Sequence, residues 1–135
     1  MSKKLSKHDK WLRKIGFKEG LAHLGIFDFN VVLALGSQEH LEEYVRFKLE
    51  DPDFELSEHT GDYGARGMYF YKAPYCPILW IPRKPQTPEE YGTLAHEALH
   101  IVFRVFKWAG MEMNEETEEV ATHATGFLVR KVIEL

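Results

Sequence analysis

A chain of 135 residues suits one hydrophobic core and is short for two, so a single domain over residues 1–135 is expected. Its 44% hydrophobic content, with three Trp, six Tyr and nine Phe, excludes disorder for the bulk of the sequence. Lys and Arg total 17 against 21 Asp and Glu, a net charge of −4, which leaves no general basic field for a phosphate backbone and argues against a dedicated nucleic-acid binder.

Cys76 is the single cysteine, so an intrachain disulfide and a cysteine-cluster zinc site are both excluded, and a reducing, cytoplasmic location is expected. The basic start, Met1 to Lys10, leads into Trp11-Leu12-Arg13-Lys14 rather than an apolar stretch, so it does not read as a secretory signal. No run approaches the length of a membrane span, and no membrane partner is expected.

In chain order, Ser6 is predicted to cap a short helix to about Ile15, with Lys7, Lys10, Arg13 and Lys14 on a solvated side that lacks the aromatic platform of an RNA site. Phe27 to Leu35 reads as a strand ending at Gly36, and its continuous Val31-Val32-Leu33-Ala34-Leu35 implies burial on both faces. Ser37 caps a helix to about Glu50, with Leu41, Tyr44, Val45 and Leu49 at helical spacing. Asp51 to Gly67 is a long polar loop. Its Gly61-x-x-Gly64-x-x-Gly67 lacks the Lys-Ser/Thr end of a phosphate cradle.

Gly67 to Lys72 and Ile78 to Ile81 are predicted as an antiparallel pair. Pro77 and Pro82 bracket the second strand and place it at or near a sheet edge, with Trp80 as core or groove lining. Thr87-Pro88-Glu89-Glu90 then supplies an N-cap, a first-turn proline and a capping-box glutamate. That helix should run to about Ala109 and stop at Gly110, and another should run from near Asn114 almost to Leu135.

Within the first of these two helices stands His96-Glu97-Ala98-Leu99-His100. Residues four apart lie on nearly the same side of a helix, so two imidazoles can reach one metal ion, and Glu97 beside them can address a metal-bound water as general base. The stripe Ala95, Leu99, Val102 and Phe106 is read as the buried side, which puts the histidines at the margin of the core. A third ligand is sought among Glu115, Glu116, Glu118 and Glu119. Helical phase favours Glu118, grouped with Ala121, Thr122, Thr125, Val129 and Val132 on a buried flank, whereas Glu119 groups with His123 on the wet side and keeps a claim if the helix is slightly rotated. Thr122 or His123 would have to support the ligands from behind. Tyr91, His123 and Tyr63 are equal candidates for oxyanion stabiliser, and His59 is a further candidate to reach the site.

This pattern resembles the gluzincin type of zinc metallopeptidase, and at this length its minimal single-domain members, including short phage-encoded and repressor-cleaving HExxH proteins. The segment from Glu118 through Ala121 to Leu128 is similar to their E-x-x-A glutamate helix, and the likeness covers about Tyr69 to Val132. The resemblance implies an α+β, zincin-like domain in which a short mixed sheet packs on the HExxH helix and a C-terminal glutamate helix. It also implies Zn2+ as cofactor, peptide hydrolysis as activity, and a substrate pairing with an antiparallel edge strand, here Ile78 to Ile81. The alternative is a non-catalytic, zinc-containing binding or accessory protein of phage or mobile-element type.

Overall fold

A computed structural model describes residues 16–48, 66–70 and 76–135, together with helical positions at Lys7, Lys10 and Lys14. The rest of the helix expected from Ser6, most of the polar loop, and with it His59 and Tyr63, lie outside the described residues.

The first two strands form a hairpin, of which only the second strand is expected from the sequence. β1 (Lys18–Leu24) pairs antiparallel with β2 (Phe29–Leu35) along its whole length, from Lys18 opposite Leu35 to Leu24 opposite Phe29. Phe27 belongs to the connecting turn rather than to the strand: its N–H donates to the Leu24 carbonyl at 3.0 Å, and Asp28 follows in the left-handed region with φ of 55°. β1 has a weak strand signature because Gly20 and Ala22 are poor strand formers. Its only signal is the alternation that buries Ala22 and Leu24 while leaving Leu21 and His23 outside.

Helix α1 (Gln38–Lys48) follows, with the Ser37 hydroxyl accepting from the His40 N–H at 3.2 Å as a cap. Next come β3 (Arg66–Phe70), β4 (Cys76–Ile81), α2 (Pro88–Trp108) and α3 (Glu118–Ile133). The four described strands stand in the order β1-β2-β4-β3. β4 runs parallel to β2 and antiparallel to β3, so the sheet is mixed and the domain α+β, as expected.

The expected edge position of Ile78 to Ile81 is corrected by this order. Val32 to Leu35 pairs with it on one side and Arg66 to Met68 on the other, and all four of its residues are buried. The prolines mark the ends of the doubly paired stretch rather than a free edge: Pro77 stands opposite Tyr69 of β3, one residue before the parallel ladder begins, and Pro82 follows the last strand residue. The described edges are β1 and β3.

Alternation along β2 and β4 divides the core into two layers. Val31, Leu33, Leu79 and Ile81 join Ala22 and Leu24 against the apolar residues of α2 and α3. Val32, Ala34, Ile78 and Trp80 point the other way, where Leu41, Tyr44 and Val45 of α1 and Phe17 are also buried. α2 packs over β3 and β4, and α3 over β1 and β2.

Gly36 joins β2 to the second layer. Its N–H donates to the Ile81 carbonyl at 3.1 Å, its carbonyl accepts the Trp80 indole N–H at 2.8 Å, and the Phe17 ring lies 2.5 Å from where a Cβ would stand. Its φ is 157°, and no side chain can be added without moving Phe17. Gly36→Ala is therefore expected to destabilise the fold by about 2–3 kcal/mol, read as a lowered denaturant midpoint at unchanged slope.

Candidate metal centre

The helix carrying His96, Glu97 and His100 is fixed at both ends by its own sequence. At its start the Thr87 hydroxyl accepts from the Glu90 N–H at 3.2 Å, and the buried Glu90 carboxylate accepts from the Gln86 N–H at 3.0 Å and from Arg83 at 2.8 Å. At its end Gly110, with φ of 71°, donates to the Lys107 carbonyl at 3.2 Å and Met111 donates to the Phe106 carbonyl at 2.9 Å, the paired bonds of a Schellman motif. The motif residues ride on the middle of this held helix.

The buried face of α2 is Leu94, Ala98, Ile101, Val102, Val105 and Phe106, centred one residue away from the stripe expected from sequence. Ala95 is only half-buried and Leu99 is 37% exposed. That rotation corrects the position of the histidines: both are exposed, on the side of the helix turned away from the core, rather than at its margin. Glu97 is half-buried on the flank.

The imidazoles nevertheless converge. His96 Nε2 and His100 Nε2 are 3.0 Å apart, with the rings edge to face at 4.6 Å between centroids. Two nitrogens on one tetrahedral zinc, each at about 2.0–2.1 Å, stand about 3.3 Å apart, close to this spacing. The pair thus fits as two ligands of a zinc ion. Without a metal, the same geometry lets one neutral ring donate to the other.

The glutamate helix does not complete the set. The β1–β2 turn meets the end of α2, with Phe27 on Phe106 at 5.0 Å and Phe29 on Trp108 at 5.5 Å, and it shares a groove with Glu119, Val120 and His123 in the first turns of α3. At the opposite end of the hairpin Leu135 lies over Gly20. α2 and α3 are therefore antiparallel, and about 12 Å of helix separates His100 from the end of α2 beside which Glu118 stands.

Glu118 is exposed, because the buried face of α3 is Ala121, Ala124, Leu128 and Val132. Among the described residues no group of three His, Cys, Asp or Glu side chains converges to hold a metal. Glu119 is also exposed, and its carboxylate lies 3.4 Å from His123 Nε2 beside the β1–β2 turn. His123 is thus occupied on α3 rather than placed behind the metal pair, and the Thr122 hydroxyl donates to the Glu119 carbonyl at 3.1 Å. Tyr91, 46% exposed, lies about 140° around α2 from His96 and does not share its face.

α3 also begins later than Asn114, because the Asn114 side chain accepts from the Glu116 and Thr117 N–H groups at 2.9 and 3.1 Å and forms a turn of its own. From this geometry, Glu118→Ala and Glu119→Ala are each expected to leave zinc affinity within about threefold, measured by competition with a chromophoric chelator. A tenfold loss in the first would require α3 to slide toward His100.

Leu99, expected in the core, and Phe103 both flank the histidines on the open side of α2. Their spacing, His96, Leu99, His100 and Phe103 at i, i+3, i+4 and i+7, was the available signal. Compared with protein-family models, curated proteins and solved structures, the chain matches none.

Proposed function

We propose that the chain is a small zinc-dependent metallopeptidase of zincin type, in which His96 and His100 hold the metal and Glu97 is the general base. The observation that carries this reading is the approach of the two Nε2 atoms to 3.0 Å on a helix whose intervening residues include Glu97. When bound, zinc supplies Lewis acidity toward a water and a peptide carbonyl. The Glu97 carboxylate takes the proton of the attacking water and returns it to the leaving amine, a role suited to its half-buried flank position beside the pair.

In this reading an extended peptide uses a described sheet edge, β1 or β3, because Ile78 to Ile81 is already flanked by a strand on each side. Both described edges are antiparallel to their neighbours, and β3 is the one that packs with α2. No described helix is long and apolar enough to cross a membrane.

A second reading, a non-catalytic zinc-containing binding or accessory protein, is favoured by one observation: only two ligands converge among the described residues. Zinc-loaded protein incubated with casein separates the two. The peptidase reading expects cleavage that a chelator abolishes and zinc restores; zinc uptake without cleavage selects the second reading, and no uptake removes both.

A further inference from the structure

The outward side of α2 carries a pattern that the peptidase reading does not use. Glu89, Gly92, His96, His100, Phe103 and Lys107 follow one another along it at spacings of three and four, all exposed. Phe103 is 44% exposed, a large apolar side chain without cover from the core. Gly92 lies inside the helix, where glycine costs up to about 1 kcal/mol relative to alanine, and a Cβ placed there would meet nothing within 4 Å. Among the described residues nothing therefore calls for a glycine at that position.

The row is self-complementary. If a second α2 is laid antiparallel across it, about a two-fold axis midway between His96 and His100, each His96 lies level with His100 of the second copy. Glu89 then lies level with Lys107 of the second copy, and Lys107 with its Glu89. Phe103 falls level with the Gly92–Thr93 step, where the missing side chain leaves room for the ring. A two-fold contact requires this kind of reciprocity, with the same patch serving both sides. The converging pair of Nε2 atoms from each copy supplies four nitrogens, the closed tetrahedral set of a structural zinc site.

We propose that the outer face of α2 binds a second copy of this chain through one zinc ion shared by His96 and His100 of both copies, with Phe103 seated at Gly92 and Glu89 facing Lys107. The inference rests on the metal pair of the proposed function. Such a site has no open position, so the bridged pair is a closed form, and hydrolysis belongs to the monomer.

Sedimentation equilibrium of the full, metal-stripped chain titrated with zinc tests this. The expected result is a monomer without metal and a dimer at one zinc per two chains, reversed by a chelator and abolished by His96→Ala. Glu89→Lys should weaken the zinc-linked dimer about fivefold, and adding Lys107→Glu should restore it to within about twofold. Gly92→Gln, which favours the helix, should weaken it at least tenfold while the monomer keeps its helix content and binds zinc. A monomer carrying one zinc per chain would overturn the shared site and leave the peptidase reading standing. Absence of zinc uptake would overturn both. A dimer that forms without zinc, or that ignores the Gly92 and charge-reversal variants, would overturn this geometry.

Discussion

Glu97→Gln is expected to lower zinc-dependent hydrolysis of casein by at least about a hundredfold while zinc content stays unchanged. The amide keeps the size and most of the polarity of the carboxylate but cannot accept a proton at neutral pH, and loss of a general base typically removes a factor of about 100 to 10,000. The residue is half-buried on the flank of α2 rather than part of the converging pair, so metal affinity should not follow it. The two measurements, zinc per chain and turnover, must therefore separate. If zinc is lost with the activity, Glu97 is a ligand and the division of roles within the motif is different. If turnover in the wild type is absent and zinc binding is intact in both proteins, the non-catalytic reading holds.

His96→Ala and His100→Ala should each reduce zinc affinity by at least about a hundredfold, with thermal stability of the metal-free protein changed little. The first half follows from the ligand arithmetic: one imidazole cannot hold a zinc ion that two hold together. The second half follows from burial. Both rings are exposed and pack on each other rather than into the core, and surface substitutions of this kind usually stay within about 0.5 kcal/mol. Competitive zinc titration together with thermal denaturation reads both. Unchanged affinity in either variant would reduce the pair to two neighbouring rings sharing a proton.

Features specified by local chemistry are legible in the residues. Thr87-Pro88 and Gly110 set the ends of α2 because a capping hydroxyl, a fixed proline φ and a left-handed glycine each act within a few residues. The run from Val31 to Leu35 announced a strand covered on both faces, and Val31 to Ala34 are indeed buried from both sides. The His96–His100 approach was equally legible, since a four-residue spacing on any helix brings two side chains together.

The rest depends on which neighbour each face meets, and that is set by long-range packing. α2 bears apolar residues over a wide arc from Leu94 round to Phe103, and periodicity cannot tell which part of that arc the sheet will cover. The sheet took Leu94, Ala98, Ile101 and Val105, which turned the histidines outward and left Leu99 and Phe103 exposed. α3 shows the same ambiguity: Glu118 reads as buried if Thr122 and Thr125 face the core, and is exposed because Ala121, Ala124 and Leu128 do. Its distance from the histidines follows from the antiparallel packing of α2 and α3. Strand order was likewise out of reach, for the prolines around Ile78 to Ile81 signal where ladder bonds stop, and only the arrival of β2 and β3 on its two sides shows that the strand between them is interior.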